Sequence, residues 1–96
     1  MIVHFGDKAT EDVYNGIFSK DSRKIPQNIL SVAYRKLDMI NSAQCFEDLK
    51  APPGNRLEAL KGNLFGFYSI RINQQYRIIF KMSQSNASGV QIIDYH

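Results

Sequence analysis

The first half of the chain carries apolar residues at the spacing of amphipathic helices. Ala9, Val13 and Ile17 recur every four positions, which places them on one face of a helix. Asp7 stands where an N-cap side chain would accept a backbone hydrogen bond. The pattern predicts a first helix that starts after Asp7 and ends near Gly16.

A second and longer helix is predicted after the polar segment 19–24, which we interpret as a loop. Pro26 suits the first turn of a helix, where its missing N–H leaves no bond unmade. One face of this helix is apolar, and Arg35, Lys36 and Asp38 lie off that face. The apolar face consists of Ile29, Leu30, Ala33, Leu37 and Ile40.

The pattern changes to strands after the rigid connector at residues 51–55, which contains two prolines and a glycine. Strands are predicted at residues 56–60, 67–72, 76–82 and 90–95, with turns at 62–66 and 83–89. Residues 2–5 are short and β-branched enough for an edge strand. Helices followed by strands indicate an α+β domain in which two N-terminal helices pack on a small antiparallel sheet.

Side chains alternate between the two faces of a strand, and this alternation sets the register of the central hairpin. A three-residue loop at 73–75 pairs Ile72 with Tyr76 and Arg71 with Arg77, whereas a two-residue loop would contradict both apolar patterns. One face then holds Tyr68, Ile70, Ile72, Tyr76, Ile78 and Phe80, and we expect it to be core. The opposite face holds Phe67, Ser69, Arg71, Arg77, Ile79 and Lys81.

Two arginines directly opposite each other repel unless something negative lies between them. Arg71 and Arg77 together form a fork suited to the oxygens of a phosphate. No acid within the hairpin could neutralise them. The alternative is a structural salt bridge in which Asp94, on a neighbouring last strand, pairs with one of the arginines.

Composition supports a single small domain, and the distribution of charge along the chain indicates the kind of partner. The 96 residues are 44% hydrophobic with a net charge of +3. Residues 1–55 hold seven basic and seven acidic residues, whereas residues 56–96 hold five basic and two acidic ones, so the excess lies entirely in the second half. Such asymmetry favours an anionic partner, although a solvated basic face is the alternative.

Several classes of protein are disfavoured. No apolar run is long enough to span a bilayer, and the first residues lack the pattern of a signal peptide, so we expect a cytoplasmic protein without membrane contact. Cys45 is alone and is interpreted as a small half-buried hydrophobe. With two histidines and no clustered carboxylates, no metal site or cofactor is predicted.

The chain closes on Asp94-Tyr95-His96, three residue types that can do acid–base work or stack on a base. A frayed tail without function is the alternative from these three residues alone.

Three stretches together resemble a known family. They are residues 52–63 (PPGNRLEALKGN), residues 66–80 (GFYSIRINQQYRIIF) and residues 93–96 (IDYH). They are similar to the HigB branch of the RelE/ParE toxins. The resemblance implies the α+β fold described above and a toxin of a type II toxin–antitoxin pair, which cuts mRNA in the ribosomal A site. It also implies a helix-turn-helix antitoxin of the HigA type as partner, with operator DNA reached only through that antitoxin.

The resemblance also assigns roles to residues. Lys61, Arg71 and Arg77 resemble the cations that hold the scissile phosphate. Asp94, Tyr95 and His96 resemble the acid–base and base-stacking end, with His96 or Asp94 as general base. The chain departs from the pattern at Glu58, where many HigB-like toxins have a histidine. Substrate binding is assigned to Arg71, Arg56, Lys81 and Glu58.

The implied chemistry is attack by a ribose 2′-hydroxyl on the adjacent phosphate, a transesterification that requires no metal. Two other functions remain open: a non-catalytic binding module or co-repressor that acts with its antitoxin, and a gyrase inhibitor of the ParE type.

Overall fold

The structure is a computed structural model, and it describes residues 1–95. Two α-helices, α1 (Lys8–Asn15) and α2 (Leu30–Ser42), precede four strands: β1 (Glu58–Ala59), β2 (Tyr68–Arg71), β3 (Tyr76–Ser83) and β4 (Asn86–Asp94). The strands form an antiparallel sheet in the order β1-β2-β3-β4. The α+β prediction is therefore confirmed, with β1 shorter than the predicted strand. In the described part of the chain no helix is long and apolar enough to cross a membrane.

Helix α1 has the predicted boundaries. The Asp7 carboxylate accepts a hydrogen bond from Thr10 N at 2.9 Å, and Gly16 ends the helix with φ 71°. Ile17 was wrongly placed on the buried face: it follows the left-handed turn at Gly16, leaves the helix and is 48% exposed. Thr10 is fully buried and its Oγ1 accepts a hydrogen bond from Ile92 N at 2.9 Å, which ties α1 to β4.

Helix α2 is preceded by one 3₁₀ turn, Gln27–Ile29, that starts immediately after Pro26. The predicted apolar face is mostly confirmed, because Ala33, Leu37 and Ile40 are fully buried. The prediction for Lys36 was wrong, since only 8% of this residue is exposed. Its aliphatic stem lies in the protein while Nζ reaches a backbone carbonyl of the sheet, an arrangement that hydropathy alone does not predict.

Strand β4 begins four residues earlier than predicted, and the loop before it is only Gln84–Ser85, since Ser83 pairs with Asn86. Gly89 was misinterpreted as part of a turn. It lies in a register shift between Ile79 and Lys81 of β3, with φ 60°, which is the geometry of a β-bulge with a left-handed glycine. An added Cβ at Gly89 would lie 3.3 Å from the Phe67 ring.

The N-terminal segment lies beside β4 but forms only two isolated parallel bridges, Ile2 with Ala87 and Phe5 with Val90. The predicted edge strand is thus reduced to two contacts. The segment still extends the sheet beyond β4, because Val3 N and Gly6 N donate to carbonyls of β4 at 2.8 Å.

The main core lies between the helices and one face of the sheet. Ile70, Ile78 and Phe80 are fully buried there, as the alternation predicts. Ile79, predicted to point outward, is only 4% exposed, because the opposite face is partly covered as well. Ile79 and Leu60 are buried but lie outside the main core cluster, and they form the floor of that second face.

Candidate functional site

The predicted register of the central hairpin is confirmed. Arg71 lies opposite Arg77, and the loop 73–75 closes the hairpin. The Asn73 side chain organises this loop by accepting hydrogen bonds from Gln75 N at 2.8 Å and Tyr76 N at 2.7 Å. Arg71 is half-buried and its Nε donates to Asn73 O at 3.0 Å. The hairpin therefore carries two guanidinium groups on neighbouring strands of the second face.

Arg77 is the centre of the candidate site. Its Nη1 lies 3.2 Å from Glu58 Oε1 and donates to Ser69 Oγ at 3.1 Å. Its Cζ lies 4.8 Å from the centre of the Tyr95 ring. Stacking on an aromatic ring and anchoring one nitrogen both restrict a guanidinium, while Nε and Nη2 carry further donors for an anion. The arrangement can hold an oxyanion in a defined orientation.

The acid beside Arg77 comes from β1 and not from the last strand. Because Glu58 pairs with Ser69 across the β1–β2 ladder, its carboxylate reaches Arg77 one strand further on. The Glu58 side chain remains 47% exposed, whereas that of Arg77 is 17% exposed. A carboxylate that is open to solvent and next to a cation is placed to exchange a proton with a bound substrate.

The closing motif is divided between the two faces. Asp94 pairs with Tyr76, a residue of the core-facing series, and its Oδ2 accepts a hydrogen bond from Gln75 Nε2 at 3.1 Å. Tyr95 lies on the side of Arg77, as the ring contact requires, and its N donates to Gln75 O at 2.7 Å. His96 lies outside the described residues.

The remaining predicted substrate-binding residues are spread along the sheet. Lys81 is exposed, with Nζ 5.0 Å from the centre of the Phe67 ring, and Lys61 is exposed in the β1–β2 connection. Arg56 is exposed at the end of the 3₁₀ turn Pro53–Asn55, two residues before β1, with φ 46°. The structure thus brings Glu58 and Arg77 into contact and leaves these three cations apart from that pair.

Sequence reasoning placed Ser69 on the face of the arginines but gave it no role. Ser69 is fully buried, so its hydroxyl serves to fix the Arg77 side chain. The sequence feature that could have indicated this role is the position of Ser69 two residues before Arg71, on the same face of the strand. The Glu58–Arg77 contact had no comparable signal, because β1 is only two residues long and its register is not set by a tight hairpin.

Apart from Glu58, the charged residues predicted for this face are basic. Between Glu58 and Asp94 the sequence contains no acidic residue, and it contains four cations, Lys61, Arg71, Arg77 and Lys81. Within residues 1–95 no group of three or more His, Cys, Asp or Glu side chains could hold a metal ion. A basic surface of this kind attracts a polyanion.

Lys36 lies behind the arginine pair, on the core side of the sheet. Its Nζ donates to Arg71 O at 2.6 Å. Burial lowers the pKa of Lys36 below the ordinary 10.5, and the positive charges of Arg35 and Arg71 lower it further. The end of β2 is therefore held from behind by a cation that has little access to water.

A separate concavity of about 530 Å³ lies between α1, α2 and the segment that joins them. Three of its lining side chains are large, apolar and exposed: Ile17 at 48%, Phe18 at 69% and Tyr34 at 48%. None of the residues of the arginine site lines this groove.

Comparison with known proteins places the chain in context. Residues 3–96 match the family model of the HigB-like toxin, described as the RelE-like toxin of the type II toxin–antitoxin system HigB. The chain is 47% identical over 81 residues to toxin HigB-1 of Vibrio cholerae serotype O1, an alignment that covers 84% of this chain and 83% of that protein. It is also 37% identical over 89 residues to an uncharacterized protein of Haemophilus influenzae, which covers 93% and 86% of the two chains.

Solved structures share the fold at lower identity. The YoeB–YefM complex from Staphylococcus aureus matches with a TM-score of 0.62 and 23% identity over 100% of this chain and 95% of the other. YafQ from Escherichia coli strain BL21(DE3) matches with a TM-score of 0.59 and 16% identity, covering 98% and 91%.

Proposed function

The chain belongs to the HigB-like family of RelE-like type II toxins, and from this premise we propose that it is a ribosome-dependent mRNA endonuclease whose site is centred on Arg77. The contact between Arg77 and Glu58 carries the proposal, because it sets a proton acceptor beside a phosphate-binding cation on an otherwise basic face. Cutting mRNA in the ribosomal A site would stop translation.

The reaction assigned to this site is transesterification. The ribose 2′-oxygen loses its proton, attacks the adjacent phosphorus and forms a cyclic 2′,3′-phosphate, while the P–O5′ bond breaks and the 5′-oxygen takes up a proton. Arg77 and Arg71 would stabilise the charge that builds on the phosphate oxygens, and preorganised cations of this kind usually make the largest contribution to such a reaction. Lys61 would hold a neighbouring part of the RNA backbone.

Glu58 is our candidate for the general base, in place of the Asp94 and His96 suggested by resemblance. Asp94 lies opposite Tyr76, in the core-facing series, whereas Glu58 lies 3.2 Å from Arg77 Nη1 and is half-exposed. Tyr95 would stack on Arg77 or on a nucleotide base. His96, which was expected as a possible base, is here proposed instead as the proton donor to the leaving oxygen; it lies outside the described residues.

Dependence on the ribosome is part of the proposal. A ribosome that holds the message in one conformation would supply the orientation that a small site cannot impose by itself. Efficient cutting of naked mRNA by the purified protein would contradict this part of the proposal.

The proposed partner is an antitoxin. The Staphylococcus aureus YoeB structure is a complex with YefM, and the toxin class of the family implies such a partner here. We propose a helix-turn-helix antitoxin of the HigA type, through which the protein would reach operator DNA as a co-repressor. That binding role can coexist with RNA cleavage.

The decisive experiment maps cleavage of a defined message on programmed ribosomes. Wild type should cut at fixed positions within the A-site codon. Arg77→Ala should lower the rate by about 10²–10³-fold, and Arg77→Lys should recover little, because a lysine keeps the charge without the planar fork. Glu58→Gln should lower the rate by about 10²–10⁴-fold, as expected for loss of a general base.

Glu47→Gln is the matched control, since Glu47 is exposed in the 3₁₀ turn Phe46–Lys50, away from the arginines. All variants should keep the wild-type circular dichroism spectrum and bind the antitoxin. Full activity of both Arg77→Ala and Glu58→Gln would reject the catalytic assignment and leave the co-repressor function.

A further inference from the structure

The connection between β1 and β2 presents a phenylalanine to solvent. Phe65 is 82% exposed, more than any other large hydrophobic residue in the described part of the chain. Nearby aromatic rings have partners: Phe46, in the 3₁₀ turn Phe46–Lys50, and Tyr68 stack at 4.9 Å between ring centres, and Lys81 Nζ lies 5.0 Å from the centre of the Phe67 ring. Exposure of one ring at this position is therefore a local feature that the core does not explain.

The backbone holds Phe65 in place. Phe65 N donates to Gly62 O at 3.1 Å, and Phe67 N donates to Leu64 O at 2.9 Å. Gly62 and Gly66 have φ values of 64° and 96°, which only glycine adopts easily. The turn is tied to the sheet by the hydrogen bond from Leu60 N to Phe67 O at 2.9 Å. The ring is thus displayed on an ordered turn, and little conformational freedom would be lost on binding.

The surroundings of Phe65 are basic. Lys61 begins the same connection, and Lys81 lies at the same end of the sheet, because Phe80 pairs with Tyr68 and Lys81 Nζ covers the Phe67 ring. The acid-free stretch between Glu58 and Asp94 includes the whole connection. An exposed aromatic ring in a connection that begins with Lys61, with Lys81 at the same end of the sheet, combines the two elements with which proteins hold single-stranded nucleic acid, a stacking surface and backbone-neutralising charge.

This end of the sheet continues the surface of the proposed cleavage site. Arg77 and Lys81 are four residues apart on β3, a separation of about 13 Å along the strand. An RNA strand whose phosphate lies on Arg77 can therefore reach the β1–β2 connection without leaving the basic face. The groove between α1 and α2, which also exposes a phenylalanine, is lined by a different part of the chain.

We infer that Phe65 is a stacking platform for a base of the bound RNA, at a position flanking the scissile phosphate, with Lys61 and Lys81 holding the adjoining backbone. The inference rests on the proposed function and adds to it a binding subsite that takes no part in the chemistry. The subsite tolerates any base, because each has a face on which a ring can stack.

The test compares two exposed phenylalanines on programmed ribosomes. Phe65→Ala should raise KM by about ten-fold with kcat unchanged, since stacking on one ring contributes roughly that factor. Phe65→Tyr should stay within about two-fold of wild type, because the ring is retained. Phe18→Ala is the matched control: Phe18 is 69% exposed but lies in the helix groove, and its KM should not change.

A second measurement reports stacking directly. The chain contains no tryptophan, so Phe65→Trp places a single indole at the subsite. A short single-stranded RNA should quench its fluorescence, whereas an abasic ribose-phosphate chain of equal length should not. The same RNA should leave Phe18→Trp unquenched.

The outcomes separate this inference from the function on which it rests. If wild type cuts the message and Arg77→Ala does not, an unchanged KM for Phe65→Ala overturns the stacking platform alone. Loss of antitoxin binding by Phe65→Ala, with KM unchanged, would make the ring a protein contact and would also overturn it. If wild type does not cut the message at all, both the proposed function and the proposed subsite are rejected.

Discussion

Single side chains decide what the second face of the sheet can do. The opposition of Arg71 and Arg77 follows from two alternating strands and a loop length, so it was predictable from sequence. The ion pair between Arg77 and Glu58 was not, because the acid lies on a third strand of two residues whose register no tight hairpin sets. The alternation of side chains predicts which residues lie opposite each other across a tight hairpin. It does not predict a residue from a third strand that a longer connection places beside them.

Lys36 is a second residue whose environment could not be predicted from the sequence. Its position off the apolar face of the helix did not indicate burial, but the middle of α2 packs so close to β2 that Nζ reaches Arg71 O. Because burial lowers its pKa, the unfolded chain holds this proton more tightly than the folded chain does. Burial of the charged ammonium group therefore lowers the free energy of unfolding. This loss of stability is present in full below the lowered pKa and disappears as the pH approaches 10.5.

The wild type should therefore gain stability relative to Lys36→Met as the pH rises from the lowered pKa of Lys36 towards 10.5. Urea unfolding at several pH values measures the difference between their free energies of unfolding. The matched control is Lys50→Met, which removes an ammonium group that is exposed to solvent. A pH-independent difference for Lys36→Met would show that the ammonium group is not buried in solution.

At the scale of elements, the helices were predicted more accurately than the strands. Both helices carry their boundary signals locally, in Asp7 and Gly16 for α1 and in Pro26 before α2. Strand β4 was predicted too short because serine, asparagine and glycine at residues 83–89 have the composition of a turn. The structure uses Gly89 for a bulge within the strand instead, and composition does not distinguish these two uses of a left-handed glycine.

The bulge makes Gly89 sensitive to substitution. Gly89→Ala should destabilise the protein by about 1–2 kcal/mol, because a side chain disfavours positive φ and the new Cβ would press on the Phe67 ring. Gly54→Ala is the control, since a Cβ there meets nothing within 4 Å. Thermal unfolding measures both effects, and equal melting temperatures for the two variants would contradict the bulge geometry.

At the scale of the whole molecule, the helices and the arginine site lie on opposite sides of one sheet. The core-facing side was largely predictable, since Ile70, Ile78 and Phe80 follow the two-residue period of a strand and are fully buried. The burial of Ile79 on the other side was not, because alternation along β3 placed it on the outward face. The charge asymmetry between the halves of the chain becomes an asymmetry between the two sides of the sheet.

This charge distribution predicts how RNA binding responds to salt. If Arg71, Arg77 and Lys61 each neutralise one phosphate of a single strand, the logarithm of the affinity should fall with the logarithm of salt concentration with a slope of about −2. Lys61→Ala should reduce the slope by about 0.7 in magnitude. Lys50→Ala should leave it unchanged, and an unaltered slope for Lys61→Ala would remove Lys61 from the RNA path.

The pairing of the N-terminal segment with β4 has a consequence for how the protein is made. Ala87 N donates to Met1 O, and Gly6 N donates to Val90 O, both at 2.8 Å, across more than eighty residues of sequence. During synthesis residues 1–6 emerge before β4 and must wait for it before they can form these bonds. A nascent chain that has just added Arg77 still lacks β4, so the sheet around the arginine is completed only after residues 86–94 have been added.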